Sequence, residues 1–182
     1  MIKFIKEICK NLIYIFINYF ITYIPFWPLR KLLYLICGMK IGKGSRILMG
    51  TKIDGSSKIR IGKRTIVNEN CFLDGRSGLT IGDDVTVAVY SRLISGGHFI
   101  DDEDFAYHGD EIIIGNNVAI FSGCTVLAGA NIEDGCVFSA MSLVRKGTYK
   151  KKGIYAGNPA KYIRDRECSL NYKQDYWHPI LR

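Results

Sequence analysis

An aliphatic residue returns at every sixth position along most of this chain, and this period restricts the possible folds more than any other feature. The last run continues without error from Ile114 to Val144. Earlier runs shift by two residues between blocks, and their members are Ile41, Ile47, Ile53 and Ile59, then Ile61, Val67, Leu73 and Leu79, then Ile81, Val87 and Leu93. A six-residue period matches neither an α-helix nor a simple alternating strand. It predicts stacked triangular coils, each made of three short strands joined by tight turns.

The repeat predicts five such coils and three domains or segments. The coils are residues 41–58, 61–78, 81–98, 114–131 and 132–149. At about 4.8 Å per coil the stack would be roughly 24 Å tall. The predicted organisation is a hydrophobic and basic helical segment at 1–40, a β-helix domain at 41–160 with a loop excursion at 95–111, and a short helix with a tail at 161–182. The fold class is therefore all-β, a parallel β-helix with helices at both ends.

Small residues recur four positions after the aliphatic ones, and three cysteines occupy such positions. Cys71, Cys124 and Cys136 are thus expected to point inward and to act as small hydrophobic side chains. The six cysteines show no C-x-x-C pair and no ligand spacing, so neither a disulfide framework nor a metal site is predicted. This cysteine usage is typical of a reducing cytoplasm.

The amino-terminal segment has the composition of a membrane-facing helix but is too short to cross a bilayer. Residues 11–29 carry no charge, yet Pro25 and Pro28 interrupt them, and about 20 apolar residues are needed for a span. A helix from Lys3 to Ile24 would have a narrow polar stripe and a wide apolar face. Two interpretations stay open: the helices cap the open end of the coils, or residues 1–37 lie peripherally on the inner face of an anionic membrane.

A second helix is predicted between Pro28 and Gly38, because proline favours the first turn of a helix and glycine the position after its end. Its apolar side is formed by Leu29, Leu32, Leu33 and Ile36. Arg30 and Lys31 are expected to turn away from that side.

The net charge of +8 is divided between the two ends of the chain. Residues 1–40 hold six Lys/Arg against Glu7 alone, and residues 145–182 hold ten against three acids, which leaves a mildly acidic middle. A nucleic-acid surface would need one continuous basic face. We therefore expect no nucleic-acid partner.

Residues 95–111 interrupt the repeat with many acids and contain His98 and His108. The flat faces of a solenoid offer no pocket, so an excursion from one edge is where a site can be built. From the residues alone, a histidine in an acidic loop is more often a solvated side chain than a base.

Over residues 41–166 the chain resembles the hexapeptide-repeat acyltransferases in its repeated [LIV]-G-x-x-x-x pattern and in the ending "YAGNPAKYIRDR". Within them, "NCFLDGRSGLTIGDDVTV" followed by "GGHFIDDEDF" is similar to bacterial O-acetyltransferases that modify sugars and surface polysaccharides. The resemblance implies a left-handed β-helix, a homotrimer, acetyl-CoA as co-substrate and a sugar or polysaccharide hydroxyl as acceptor.

The resemblance also implies roles for individual residues. His98 would be the general base at a subunit interface, since neutral imidazole can take the proton of an attacking hydroxyl near pH 7. Asp74 would contact the acceptor or steady the catalytic histidine, and Asn68 would contact the acceptor. The coenzyme contacts would be Ser122, Ala140, Arg145, Lys146 and Lys161, although Arg145 stands where a threonine is common. No role is expected for His108 or His178.

Other functions stay open from the sequence. The acceptor could be a small soluble sugar, a nucleotide sugar or a xenobiotic instead of a polysaccharide. A metal-dependent hydratase on the same fold would need three histidines that converge on zinc, and the three histidines here are poorly spaced for that. A non-catalytic binding module would have no use for the loop, the histidine and the coenzyme motifs.

Overall fold

The computed structural model describes residues 2–175 and 181. Within them are two α-helices, two short 3₁₀ helices at Ile21–Tyr23 and Ser56–Lys58, and twenty strands. The helices are α1 (Ile2–Tyr19) and α2 (Trp27–Ile36). The strands are β1 (Lys40–Ile41), β2 (Arg46–Ile47), β3 (Lys52–Asp54), β4 (Ile59–Ile61), β5 (Ile66–Val67), β6 (Phe72–Asp74), β7 (Leu79–Ile81), β8 (Thr86–Val87), β9 (Arg92–Ile94), β10 (Gly96–His98), β11 (Tyr107–Gly109), β12 (Ile112–Ile114), β13 (Ala119–Ile120), β14 (Thr125–Leu127), β15 (Ala130–Ile132), β16 (Val137–Phe138), β17 (Leu143–Val144), β18 (Gly147–Tyr149), β19 (Gly153–Ala156) and β20 (Lys161–Asp165).

Three parallel sheets form the sides of a triangular prism, which confirms the β-helix prediction. The first sheet has the order β1-β4-β7-β12-β15-β18, the second β2-β5-β8-β13-β16-β19-β20, and the third β17-β14-β9-β6-β3. Each coil passes through the three sheets in turn. The aliphatic residues stack in register between coils, as Ile53 on Leu73 and Leu73 on Leu93 do.

The described chain contains five complete coils and a partial sixth that the repeat count missed. The sixth consists of β18 and β19, and its inward positions carry tyrosines instead of aliphatic residues. The rings of Tyr149 and Tyr155 lie 5.2 and 5.3 Å from the ring of Phe138. Aromatic burial therefore closes this end of the core.

The core consists of the stacked aliphatic side chains together with the three inward cysteines. Cys124 and Cys136 are fully buried, and Cys71 is 2% exposed. Burial raises the pKa of the Cys71 and Cys136 thiols to about 11. These side chains are structural, as predicted, because a neutral buried thiol is a poor nucleophile.

The amino-terminal helices cover the open end of the first coil. Ile17, Ile21 and Tyr34 are buried against it. The amide of Asn18 replaces a missing neighbouring strand, since its Nδ2 donates to the Ile53 carbonyl at 2.7 Å and its Oδ1 accepts from the Ile53 N–H at 2.8 Å. Among the described residues no helix is long and apolar enough to cross a membrane.

The side of α2 that packs on the coils is the one that carries Arg30, opposite the predicted apolar side. Arg30 is fully buried, and its guanidinium donates to the carbonyls of Ile47, at 2.9 Å, and Ile24. Leu29, Leu32 and Ile36 face outward instead. The physical reason is that the open end of a coil presents backbone carbonyls without a next strand, and a guanidinium has enough donors to satisfy them.

The helix predicted at the start of 161–182 is also wrong, because Lys161–Asp165 is a strand. β20 runs antiparallel to β19, pairing Ala156 with Lys161 and Gly153 with Asp165. The last strand of a stack leaves unpaired backbone groups, and the returning chain covers them. Residues 166–175 contain no helix.

Candidate active site

A two-stranded antiparallel hairpin leaves the prism between the third and fourth coils. It consists of β10 and β11, with Gly96 opposite Gly109 and His98 opposite Tyr107. The hairpin begins where the third sheet turns into the first, after β9, and returns to β12. It therefore projects from one corner of the triangle, which we call the hairpin corner.

The hairpin holds the His98 imidazole in a defined orientation. Its Nδ1 lies 2.7 Å from the Phe105 carbonyl oxygen, which can only accept a hydrogen bond. The imidazole also stacks on the Phe105 ring at 4.5 Å and meets the Tyr107 ring edge-on at 5.9 Å. In the neutral tautomer the proton is therefore on Nδ1, and Nε2 carries the free lone pair. The side chain is exposed in the single chain.

Asp74 lies at the end of β6 and is fully buried. Its carboxylate accepts from the Arg76 side chain at 3.0 and 2.8 Å and from the Arg76 N–H at 2.9 Å. Burial by itself raises the pKa of this carboxyl, but the hydrogen bonds from Arg76 outweigh it and hold the pKa below its ordinary value. Asp74 is thus an ionised group, and both of its carboxylate oxygens are held by the Arg76 side chain.

Arg76 and Tyr107 connect Asp74 to His98, and the sequence did not single out either of them. The Arg76 guanidinium lies 5.7 Å from the centre of the Tyr107 ring, and the Tyr107 hydroxyl is 2.8 Å from Ser77 Oγ. The edge of the same ring meets His98. The "DGR" segment places Arg76 two residues from Asp74, but the contact with Tyr107 spans 31 positions and has no local signal.

Three of the predicted site residues lie at a different corner, where the second sheet turns into the third. Asn68 follows β5, Ser122 follows β13 and Ala140 follows β16. Ser122 and Ala140 are exposed and one coil apart. Asn68 donates from Nδ2 to the Val87 carbonyl at 3.0 Å, which links two coils. We call this the groove corner.

The basic candidates occupy two further positions. Arg145 and Lys146 are exposed beyond β17, at the hairpin corner, and Lys161 begins β20. Lys146 Nζ lies 2.8 Å from Asp110 Oδ2, and the hydrogen bond from this lysine lowers the pKa of the Asp110 carboxyl. His108 Nε2 lies 3.3 Å from the same Asp110 Oδ2, so Lys146 connects the fifth coil to the root of the hairpin in the single chain.

Within one chain, the predicted site residues therefore lie at two separate corners of the prism. Asp74, His98, Arg145 and Lys146 share the hairpin corner, whereas Asn68, Ser122 and Ala140 share the groove corner. Six residues separate successive corners, which at about 3.3 Å per residue is up to roughly 20 Å. His178 lies outside the described residues.

Such a prism of stacked hexads with a hairpin at one corner is the architecture of hexapeptide-repeat transferases. No protein-family model matches the chain. The chain is 31% identical over 137 residues to WcaF of Escherichia coli K12, and the match covers 75% of each protein. WcaF is named as a provisional colanic acid biosynthesis acetyltransferase. Galactoside O-acetyltransferase of the same organism is 33% identical over 126 residues, which are 66% of this chain and 61% of that protein.

Solved structures agree with these sequence similarities. A maltose O-acetyltransferase from Clostridium difficile 630 superimposes with a TM-score of 0.75 at 26% identity, covering 88% of this chain and 86% of that one. A galactoside acetyltransferase in complex with coenzyme A gives a TM-score of 0.77 at 25% identity over 88% and 80%. The chain belongs to the hexapeptide-repeat acetyltransferase family, close to the sugar O-acetyltransferases, and is an acetyltransferase.

Proposed function

We propose that this enzyme transfers the acetyl group of acetyl-CoA to a hydroxyl of a bacterial surface polysaccharide or of its precursor, with His98 as the general base. The observation that carries the proposal is the 2.7 Å contact between His98 Nδ1 and the Phe105 carbonyl. This contact leaves Nε2 as a lone pair at an exposed position, which is what proton removal from an acceptor hydroxyl requires.

His98 performs two proton transfers in this mechanism. Its Nε2 takes the hydroxyl proton while the acceptor oxygen bonds to the thioester carbonyl carbon. The Phe105 carbonyl stabilises the resulting imidazolium through Nδ1–H. When the carbon–sulfur bond breaks, Nε2 returns the proton to the departing thiolate, so the products are an O-acetyl sugar and free coenzyme A. Arg76 and Tyr107 hold the hairpin in position and contact neither reactant.

We propose a homotrimer as the active form, because a single chain leaves the site incomplete. His98 is exposed, while transfer to a sugar instead of water requires that water be excluded. Around a threefold axis, the hairpin corner of one copy would meet the groove corner of its neighbour. Ser122 and Ala140 of that neighbour would then border the coenzyme, with Lys161 as a further contact. Asn68 would remain an acceptor-side residue, whereas the buried Asp74 would steady the hairpin of His98 through Arg76.

A polysaccharide or its precursor is the favoured acceptor class because of how far the similarities extend. WcaF is matched over 75% of this chain, whereas a macrolide acetyltransferase of Lysinibacillus sphaericus is matched over 42%. A small soluble sugar, a nucleotide sugar or a xenobiotic is the alternative acceptor. We place the enzyme in the cytoplasm, which is consistent with six free thiols.

The test measures thiol release from acetyl-CoA with a panel of these acceptors. His98→Ala should lower kcat by about 10²–10⁴-fold in a folded protein, since that is the usual contribution of general-base catalysis. His108→Ala is the matched control from the same hairpin and should retain activity within about tenfold. Wild-type turnover in a folded His98→Ala protein would remove His98 from the mechanism.

Complementation tests the shared site. His98→Ala and Ala140→Trp should each be inactive, the second because an indole fills the groove corner. When equal amounts of the two variants are mixed at random within trimers, about a quarter of the sites should regain activity. Each site takes its hairpin corner from one copy and its groove corner from another, and each corner is intact in half of the copies. Absence of any recovery in trimers shown to be mixed would mean that one chain supplies both corners.

A further inference from the structure

At the end of the prism that carries the helices, α2 has its charged side buried and its apolar side exposed. Its charged residue, Arg30, is buried, while Leu29, Leu32 and Ile36 face outward, with 43%, 54% and 72% of their surfaces exposed. A helix that met only protein on one side and water on the other would show the reverse pattern. The outward leucine face therefore indicates a second apolar medium at this end.

α1 presents a similar outward face. Ile17 and Asn18 are buried, and residues 4–16 are all exposed. Phe4, Ile8 and Leu12 recur at four-residue spacing along one side, while Lys6, Glu7 and Lys10 lie toward the other. The helix is thus amphipathic beyond the part that covers the first coil.

The same end is strongly cationic. Residues 1–64, which form the helices, the first coil and the beginning of the second, contain thirteen Lys/Arg and two acids, whereas residues 65–182 contain twelve Lys/Arg and fifteen acids. We call residues 1–64 the cationic end. Its excess of positive charge stands beside the exposed apolar helix faces.

Like charges are also stacked directly on one another there. Lys40 pairs with Arg60 in neighbouring strands of the first sheet, and both are exposed. Lys43 and Lys63 are stacked in the following turn, where Arg64 N–H donates to the Lys43 carbonyl. Like charges in directly opposite positions are destabilising unless an anionic surface compensates them.

We propose that the cationic end docks on an anionic phospholipid bilayer, with the outer faces of α1 and α2 at the boundary between headgroups and acyl chains and the stacked Lys/Arg pairs against lipid phosphates. Apolar burial combined with basic residues is how interfacial helices bind such membranes. A second copy is a poorer occupant, since two cationic ends facing each other would repel. Neither helix crosses the bilayer, because none is long and apolar enough among the described residues.

Docking in this orientation sets the height of the site. The hairpin leaves after the third coil, two coil spacings of about 4.8 Å above the first. Glu7, Lys10 and Tyr14 of α1 line the same cavity as Arg76 and Tyr107, so docking through α1 would hold the hairpin corner close to the bilayer surface. A saccharide attached to a membrane lipid could reach it there. This last consequence rests on the proposed function, whereas the docking itself does not.

The experiment is co-sedimentation of the full chain with vesicles of phosphatidylcholine containing about 30% phosphatidylglycerol, compared with pure phosphatidylcholine. The wild type should bind the anionic vesicles and lose most binding at about 0.5 M salt. Leu32→Glu should weaken partitioning at least about tenfold, since it places a charge in the apolar boundary. Ile163→Glu is the matched control, because Ile163 is 59% exposed in β20 and should not alter binding.

Charge is tested separately. Lys43→Gln/Lys63→Gln should weaken binding to the anionic vesicles about tenfold or more, while Lys150→Gln/Lys151→Gln removes the same charge elsewhere and should have a smaller effect. Equal losses in both double variants, or no anionic preference in the wild type, would overturn the proposal. So would a Leu32→Glu variant that binds vesicles normally but changes oligomeric mass by light scattering, because a second copy would then cover the face. Loss of vesicle binding with unchanged turnover on soluble acceptors separates this proposal from the catalytic one.

Discussion

Replacing Arg76 with methionine should invert the pH dependence of stability. In the wild type, Asp74 is fully buried and ionised because Arg76 holds it. A carboxyl whose pKa is depressed by folding stabilises the protein above its unfolded pKa, and this contribution is lost as the pH falls through the lower folded value. In Arg76→Met two side-chain hydrogen bonds disappear, and burial is opposed only by the backbone N–H of residue 76 and the Ser95 side chain, so the pKa of Asp74 should rise.

The magnitude follows from the geometry of this pair. Removing one partner of a buried ion pair costs about 3–5 kcal/mol. The Arg76 side chain is 43% exposed, so water can reach part of the vacated space, and we expect about 2–3 kcal/mol at pH 7.5. For a chain of this size that is roughly 5–10 °C in melting temperature. The variant should become more stable between pH 7.5 and about pH 5, where the wild type does not.

The assay is thermal and urea unfolding at both pH values, with two further variants. Arg92→Met removes an exposed arginine from the adjacent coil and should change stability by less than about 0.5 kcal/mol. Asp74→Asn/Arg76→Met should recover most of the loss, because no buried charge remains. If Arg76→Met kept the wild-type pH slope, or lost no more stability than Arg92→Met, the account of Asp74 as a charge held by Arg76 would be wrong.

Two further predictions concern the helices and the thiols. Asn18→Leu should destabilise the protein by about 2–4 kcal/mol in urea unfolding, because it leaves the buried Ile53 N–H and carbonyl without partners. Asn131 is exposed, and if Asn131→Leu caused a similar loss of stability, the capping role of Asn18 would be contradicted. In native protein at pH 8, Cys9 should react rapidly with a thiol reagent, while Cys71, Cys124 and Cys136 should react only after unfolding. Cys9→Ser should remove the fast phase, and fast labelling of Cys71 would show that the coils open.

The β-helix could be predicted because its signal is local and repeated. Each hexad places an aliphatic residue inward irrespective of the rest of the chain, so Ile47 and Val126 report the same geometry. The count failed at the sixth coil, where Tyr149 and Tyr155 fill the inward positions. It failed again after Pro159, because the unpaired edge of β19 determined that the next residues form a strand.

The candidate site was predictable only in part. The break in the period located the hairpin, whereas the role of His98 came from the resemblance to the acyltransferases and stays a prediction. The roles of Arg76 and Tyr107 were not evident, since their contact joins residues 31 positions apart. The sequence analysis summed the charge of the whole repeat and so missed the cationic end, where Lys/Arg residues of the first two coils lie beside those of the helices.

The amino-acid sequence by itself determined the coil, its register and the position where the hairpin leaves it, because these depend on side chains that alternate inward and outward over a few residues. Tertiary structure decided which side of α2 is buried, since the carbonyls of Ile24 and Ile47 that attract Arg30 exist as a site only once the open coil end has formed. It likewise decided that Tyr107 of the hairpin lies against the Arg76 that holds Asp74, and that the hairpin and groove corners lie too far apart to meet within one chain. Hydrophobic period is a property of neighbours in sequence, whereas satisfaction of buried polar groups depends on what folding brings together.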